Sequence, residues 1–511
     1  MRTAAHSSPT QANTCAKPEI WRQRFSMAAP IRLMGRGALG ALLVLGLMLM
    51  RVSSQAEEAA RPNVLFIAAD DLRMNLGCLG DPVAKTPHLD RLAREGRLFQ
   101  RAYCQQALCN PSRSSMLTGL RPDTLQVWNL LRHFREKMPD VLTLPQHFKN
   151  NGYFTQNVGK IFHNWRTKIQ GDPDSWSVPA VLHFATHSQD VAQIDGGLPP
   201  NQAHARQTEA RDVPDEAYYD GRVAREAVLA LRALKQRKEP FFLGVGFWKP
   251  HVPFNAPKRY WDLYRREDIP SIANPTPPAG APDVALHKSS EGLKGNAAAI
   301  AEVRHGYYAA TSYMDAQVGK VLDELDRLGL RESTIIVFWS DHGFHLGEHG
   351  LWGKTSNYEL DAQVPLIIAP PRAQAPGVPT SALVELLDVF PTLVDLCGLP
   401  MPGGLEGVSL RPVVENPGQT VKAAAFTQHP RPAHIELSGE VMGYSMRDER
   451  YRYTEWREWT TGRTLAVELY DHDRDAGENR NLSDSPDYAA VRNERAARLA
   501  AQFPHRPLPR E

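Results

Sequence analysis

The sequence predicts an α/β protein with a large, mostly parallel sheet flanked by helices, followed by a smaller antiparallel subdomain at the carboxyl end. Three observations predict it. Asn63–Ala69 and Ser333–Trp339 are nearly unbroken apolar runs, and a run without alternation reads as a strand buried on both faces, the usual condition of a parallel sheet. Between them, Tyr307 to Leu328 sets Val318, Val321, Leu322, Leu325 and Leu328 at helical spacing, the stripe of an amphipathic helix laid on such a sheet. After about Pro417-Gly418 the texture changes. Short aromatic pieces at Gly443–Met446, Tyr451–Thr454 and Glu468–Tyr470 sit between turn-formers, the pattern of a small antiparallel sheet.

In chain order, Arg22, Arg24, Arg32 and Arg36 precede an apolar run over residues 37–50, and Ser53-Ser54-Gln55-Ala56 follows. A basic region, a short apolar segment and small residues make a secretory signal, with cleavage after Ala56. The run falls short of the ~20 residues of a spanning helix, so membrane attachment arises only if the leader is retained. Export to the periplasm or the extracellular space is expected, or to a lysosome in a eukaryotic host. The expected organisation is a leader over 1–56, a main domain over 57–417 and a subdomain over 418–511. The first strand ends in Asp70-Asp71, and a helix is expected from Thr86 as cap and Pro87 at its first position to Glu95. Gly329 stops the Tyr307–Leu328 helix. Further strands are expected over Phe241–Phe247 and Val364–Ala369, and the polar stretch from Gly171 to Asp215 reads as a long loop or partial lid.

Composition narrows the function. A net charge of +2, from 59 basic and 57 acidic side chains, excludes a nucleic-acid binder, which needs a basic surplus. Solenoid repeats and heptads are absent, which argues against a scaffold. None of the five cysteines forms a CxxC pair, so a zinc knuckle is not expected, and with Cys15 in the leader the chain is not held by disulfides.

Two strands each end in a pair of metal-competent groups, Asp70-Asp71 and Asp341-His342. Ligands of open α/β sheets gather where the strands end. One acidic pair alone is most simply a capped turn. Two matching strand ends favour a hard cation, calcium or magnesium, because carboxylates crowded on a buried edge repel unless a cation holds them. Cys109 lies between them, at the head of Cys109-Asn110-Pro111-Ser112-Arg113. Its residue type leaves open a buried hydrophobe, a thiolate activated by a helix start and Arg113, or a disulfide with Cys104. The surrounding pattern adds a fourth reading: Cys-x-Pro-Ser-Arg, four free positions, then Thr118-Gly119 is the signature on which a cysteine is oxidised to formylglycine in sulfatases.

On that signature the chain resembles the formylglycine-dependent sulfatases of the alkaline phosphatase superfamily, and is most similar to the iduronate-2-sulfatase branch and its bacterial relatives. The likeness extends through Asp70-Asp71-Leu72-Arg73, Gly159-Lys160-Ile161-Phe162-His163, Lys249-Pro250-His251-Val252-Pro253-Phe254, Ser340 to Lys354, and Met442-Gly443-Tyr444-Ser445. Many sulfatases have asparagine at the position of His342, a departure shared with the iduronate branch. The resemblance implies a sulfuric ester hydrolase that takes sulfate from a sulfated saccharide and is matured by a formylglycine-generating enzyme. Departure of an alcohol from a sulfate ester needs cations at the sulfate oxygens and an acid at the bridging oxygen. The resemblance assigns calcium, in preference to magnesium, to Asp70, Asp71, Asp341, His342 and the modified Cys109. It gives sulfate binding to Lys160 and Lys354, proton donation to His251, a place beside Lys160 to His163, and the holding of the modified side chain to Arg113. His345, Glu348 and His349 are expected to orient these groups. Trp456 and Trp459 either line a sugar subsite or pack the small sheet, and Arg431 is placed to meet a uronic acid carboxylate. The rival readings are a phosphomonoester or phosphonate hydrolase of the same superfamily, and a catalytically silent binder of sulfated glycans.

Overall fold

Seven strands make the central sheet: β1 (Asn63–Asp70), β2 (Arg97–Tyr103), β3 (Phe154–Gly159), β4 (Phe241–Pro250), β5 (Thr334–Ser340), β6 (Gln363–Ala369) and β7 (Thr380–Glu385). Their order is β7-β2-β6-β5-β1-β4-β3. This is a computed structural model describing residues 61–163, 167–183, 208–287, 293, 296–433 and 439–509. The leader therefore lies outside the described residues, as does the middle of the expected 171–215 loop. The end of that loop is a short strand, Thr208–Arg211, paired in parallel with Phe254–Pro257.

Strand β1 explains the architecture. It pairs in parallel with β4 on one side and β5 on the other, so it has no edge and its side chains alternate between two covered faces. Val64, Phe66 and Ala68 enter one core, with Met116, Leu117, Trp339 and Phe390. Leu65, Ile67 and Ala69 enter the other, with Leu89, Val223, Val318 and Leu322. Helices α1 (Pro87–Glu95), α3 (Tyr219–Leu234) and α4 (Ala297–Arg327) cover the second face, while α2 (Cys109–Thr118) and α5 (Val389–Leu396) cover the first. The sheet is parallel except at β6, which runs antiparallel to both β2 and β5.

Three elements differ from expectation in detail. Helix α4 begins ten residues before Tyr307, because Asn296 caps it, its side chain accepting from the Ala299 N–H at 3.0 Å. The apolar stripe starts later than the helix does. Strand β4 continues past Phe247 to Pro250. Thr86 stands at the start of α1, but its hydroxyl accepts from the Gly77 N–H, and the helix N–H groups of His88 and Leu89 go to the Asp315 carboxylate.

The expected antiparallel piece is a four-stranded meander, β8 (Ala425–Arg431), β9 (Val441–Arg447), β10 (Tyr451–Glu458) and β11 (Thr464–Asp471). Helix α6 (Ala489–Gln502) packs on it through Leu499, near Tyr444, Tyr453 and Trp459. The sheet is joined to the α2 side of the molecule: the Gln428 N–H donates to the Gln105 carbonyl at 2.8 Å, and the Asp123 carboxylate accepts from Trp128, Gln428 and Tyr444. Residues 61–511 cluster as one compact unit. Among the described residues no helix is long and apolar enough to cross a membrane.

Candidate active site

The parallel register of β1 and β5 sets Ala69 opposite Ser340, so both strands release their acidic pairs at one level. Asp70 ends β1. Asp71 then turns with φ +62°, a left-handed conformation that Asp tolerates better than most residues. Three bonds hold that turn. The Asp71 N–H donates to Asp341 Oδ1 at 3.2 Å, and the Tyr307 hydroxyl donates to the Asp71 carbonyl at 2.8 Å while accepting from the Arg73 N–H at 2.9 Å. The Arg73 guanidinium is anchored in turn on Glu348 at 3.1 Å, which ties the loop after β1 to the loop after β5.

Cys109 opens α2, a helix buried along its whole length. Its Sγ lies 3.4 Å from Asp70 Oδ1, 3.4 Å from His342 Nε2 and 3.1 Å from the Lys354 ammonium. Burial and the Asp70 carboxylate push the thiol up to about 12, against Lys160 and Lys354. Cys78, Cys104, Cys109 and Cys397 are all free thiols, which removes the disulfide with Cys104, whose sulfur faces the Asp361 carbonyl instead.

The cations converge from separate elements. Lys160, just past β3, bonds Asp70 and sits 4.7 Å over the Trp248 ring. Lys354 reaches Asp71 Oδ1 at 2.5 Å. His251 places Nε2 3.8 Å from Asp71 Oδ2, with its ring edge-on to Trp248. Burial works to raise the Asp70 carboxyl, but Lys160, His251 and Arg113 outweigh it and hold the group well below its ordinary range. For Asp71 burial prevails against Lys354 and His342, giving about 6. Burial and the neighbouring Lys160 keep His163 well below its ordinary value, and neither of its buried ring nitrogens has a hydrogen-bond partner among the described residues. Residues 160–163 are not helical, so Lys160 and His163 share the site through the turn after β3 rather than through a helix face.

A cation suits this arrangement. Asp70, Cys109, Asp341 and His342 each offer a ligand atom within 4.8 Å of the others, as do Asp70, Asp71, Cys109 and His251. Among the described residues Asp71 Oδ2 is buried without a hydrogen bond, an acceptor left over, and the carboxylate-rich donor set matches a hard divalent ion.

All ten site residues expected from the sequence thus gather in one place. Other groups are engaged within the fold. The Arg113 fork donates to Asp341 Oδ2 at 2.8 Å and to the carbonyls of Ala69, Lys160 and Ile161. These bonds align the strand ends, and its charge also acts on Cys109. Arg431 does not face a substrate carboxylate, because its donors bind the Val284, Ala285 and Thr355 carbonyls. Trp456 and Trp459 are packing residues: Trp456 donates to Glu468, and Trp459 meets Trp128 edge-on. His345 bonds Asp361 at 2.6 Å.

Sequence reasoning missed three buried groups. Tyr307 holds Asp71. Asp220 accepts the Trp248 and Lys249 N–H groups at 2.7 and 2.9 Å, fixing the approach to His251. Asp361 accepts from the Ser356 N–H and hydroxyl, just beyond Lys354. Tyr307 and Asp220 bind backbone far away in sequence, and Asp361 binds Ser356 across a loop of no regular period, so no local spacing announces them.

Comparison with known proteins agrees with this geometry. The sulfatase family model matches residues 62–399, and the model of the N-sulphoglucosamine sulphohydrolase C-terminal region matches residues 347–503. The chain is 35% identical to iduronate 2-sulfatase of Homo sapiens, over 88% of this chain and 96% of that one. Among solved structures, a protein in complex with its substrate D-glucosamine-2-N,6-O-disulfate superposes with a TM-score of 0.71 at 24% identity, covering 87% of this chain and 98% of the other. The phosphonate monoester hydrolase of Agrobacterium radiobacter superposes at 0.70 with 25% identity, covering 86% and 96%. With the family model spanning more than half of the chain, and a relative of that identity aligned over nearly its full length, the chain belongs to the sulfatase family.

Proposed function

We propose that this protein is an exported sulfuric ester hydrolase that removes sulfate from a sulfated saccharide, in the manner of iduronate-2-sulfatase, with Cys109 converted to formylglycine and a calcium ion in the acidic cluster. The observation that carries this reading is the position of Cys109. The one cysteine in the modification signature sits at the focus of both strand ends, within 3.4 Å of Asp70 and His342. Residues 57–417 form the catalytic domain in this reading and 418–511 the C-terminal subdomain. A formylglycine-generating enzyme is the partner in maturation.

Asp70, Asp71, Asp341 and His342 would hold the ion beside the modified side chain. The bound ion supplies polarisation of the sulfate oxygens, and formylglycine supplies, as its hydrate, an oxygen nucleophile with a second hydroxyl for release of the sulfate. The chain's own residues do the rest. Arg113 locks Asp341 against β1 and so sets the geometry of the cluster. Lys160 and Lys354 present ammonium groups to the sulfate oxygens, where negative charge accumulates. His251 stands at the rim to protonate the departing sugar oxygen. His163, kept neutral by burial and Lys160, offers a ring that can donate or accept a hydrogen bond inside the site.

A screen of heparin-type and algal sulfated oligosaccharides, with released sulfate measured, tests the proposal. Preference for a sugar 2-O-sulfate is expected. Release confined to choline sulfate or aryl sulfates would overturn the saccharide assignment. Peptide mass analysis across Cys109 in protein from its native host tests the modification, and an intact thiol there would favour the silent glycan-binder. The likeness to a phosphonate monoester hydrolase motivates a second reading, a hydrolase of phosphate or phosphonate esters, which matched sulfate, phosphate and phosphonate esters will separate.

A further inference from the structure

We propose that Arg431 is a positioning residue: from the C-terminal sheet it holds the loop of Lys354 in a strained conformation from which the ammonium reaches Cys109 and Asp71. The claim deepens the proposed function and rests on it for the role of Lys354.

The strain lies next to that lysine. Thr355 has φ +89°, and a β-branched residue at positive φ is an outlier that persists only where its surroundings impose it. Its own side chain does not secure it, since the buried Thr355 hydroxyl has no hydrogen-bond partner among the described residues. Its carbonyl is secured, accepting from Arg431 Nη1 at 3.0 Å. The same guanidinium donates to the Val284 carbonyl at 2.8 Å and the Ala285 carbonyl at 2.7 Å, and lies 4.7 Å over the Trp456 ring. A rigid planar fork is needed to serve these carbonyls together, and lysine's single ammonium does not offer one. Among the described residues no carboxylate forms a salt bridge with Arg431, so its buried charge is met at contact distance by backbone carbonyls and the Trp456 face, and only at longer range by Glu468 and Asp361. On the far side of Thr355 the loop is fixed by Ser356 on Asp361, at 2.9 and 2.6 Å, and by Asn357 on the Gly443 carbonyl at 3.1 Å. Arg431 therefore closes the near side of a clamp whose far side is Asp361, with Lys354 at its edge.

The test compares Arg431→Gln, Arg431→Lys, Thr355→Gly and the double variant Arg431→Gln/Thr355→Gly. Losing the imposed conformation is expected to lower kcat/KM by about 5- to 100-fold in either Arg431 variant. Glycine adopts this φ without strain, so Thr355→Gly placed in the Arg431→Gln background is expected to recover activity several-fold. A merely structural arginine predicts the opposite, because a second loss of order adds to the first. A readout independent of catalysis accompanies it: amide hydrogen exchange over residues 352–358 is expected to quicken in Arg431→Lys, with the central sheet unchanged. Wild-type kcat/KM in Arg431→Gln, no recovery in the double variant, or unchanged exchange in the loop would each overturn the proposal. If Arg431→Gln does not fold, Arg431→Lys with and without Thr355→Gly carries the same comparison. If the wild-type protein releases no sulfate at all, the functional reading fails, while the exchange experiment still decides the positioning claim.

Discussion

Replacing Tyr307 with phenylalanine isolates one hydroxyl. The ring keeps its stacking on Phe344 and its edge contact with Phe254, so packing is preserved and only the bonds to the Asp71 carbonyl and the Arg73 N–H disappear. Tyr307 is fully buried, and each buried backbone group left without a partner costs about 1–3 kcal/mol. Two such groups predict a loss of about 3 kcal/mol, read as a lower urea midpoint with an unchanged slope. The activity effect follows from geometry. Asp71 keeps its left-handed turn partly because Tyr307 holds its carbonyl, and displacing its carboxylate by a fraction of an ångström is expected to lower kcat/KM about ten- to a hundredfold. Sulfate release and urea denaturation of the same preparations measure both. A Tyr307→Phe protein matching wild type in midpoint and kcat/KM would refute the assignment of this hydroxyl as the support of Asp71.

Other consequences are as direct. Glu385 is buried against Arg121, with contacts of 2.9 and 3.0 Å, and Lys422 at 2.7 Å. Burial opposes its ionisation, but Arg121 and then Lys422 hold the carboxyl at about 2. A carboxyl lowered by folding stabilises the protein above its unfolded value near 4.5, and that contribution is lost as pH falls from there toward 2. Glu385→Gln is expected to cost about 3–5 kcal/mol at pH 7 and to flatten the fall in denaturation midpoint below pH 4.5; an equally steep fall counts against the pair. A Cβ on Gly246 would stand 2.0 Å from the Lys160 carbonyl, so Gly246→Ala should part β3 from β4, destabilise by about 2 kcal/mol or more, and lower activity through Lys160. Normal sulfate release from that variant would show the contact to be soft. Removing divalent ions with a chelator should abolish activity and lower the melting temperature, calcium restoring both better than magnesium. Full activity in metal-free protein would exclude an ion in the acidic cluster.

The fold was legible where burial is two-sided. β1 and β5 announce themselves because both faces of each strand need apolar residues, and the aromatic pieces of β9 to β11 because alternation and turns mark a meander. The direction of β6 was not legible. Val364 to Ala369 reads the same in a parallel or an antiparallel ladder, and only its neighbours β2 and β5 set the orientation. The early start of α4 escaped for a related reason: its first turns are led by Ala297-Ala298-Ala299 and carry only the sparse stripe of Ile300, Val303 and Tyr307, so the Asn296 cap is the clearest mark of the beginning.

The site divides along the same physical line. Asp70-Asp71 and Asp341-His342 were visible because each pair is contiguous and closes a recognisable strand, and Cys109 because its signature is contiguous too. Lys160, His251 and Lys354 came through resemblance, since a lone cation in a loop has no local mark. Tyr307, Asp220, Asp361 and Arg431 had none either. Tyr307, Asp220 and Arg431 meet backbone groups tens to hundreds of residues away, and Asp361 meets the Ser356 N–H across an irregular loop; a backbone group carries no side-chain identity for a sequence to display. Asp71 and Thr355 nevertheless adopt positive φ, and each is held by one of these groups, Tyr307 on the first and Arg431 on the second. The reactive groups stand on turns that the local sequence would not adopt unaided, and the groups that impose those turns come from the longest helix and from the C-terminal sheet. A truncation before β8 would therefore leave Lys354 attached to a loop without its near clamp, so under the Arg431 proposal the C-terminal sheet supports the active site, although among the described residues none of its side chains bonds Cys109.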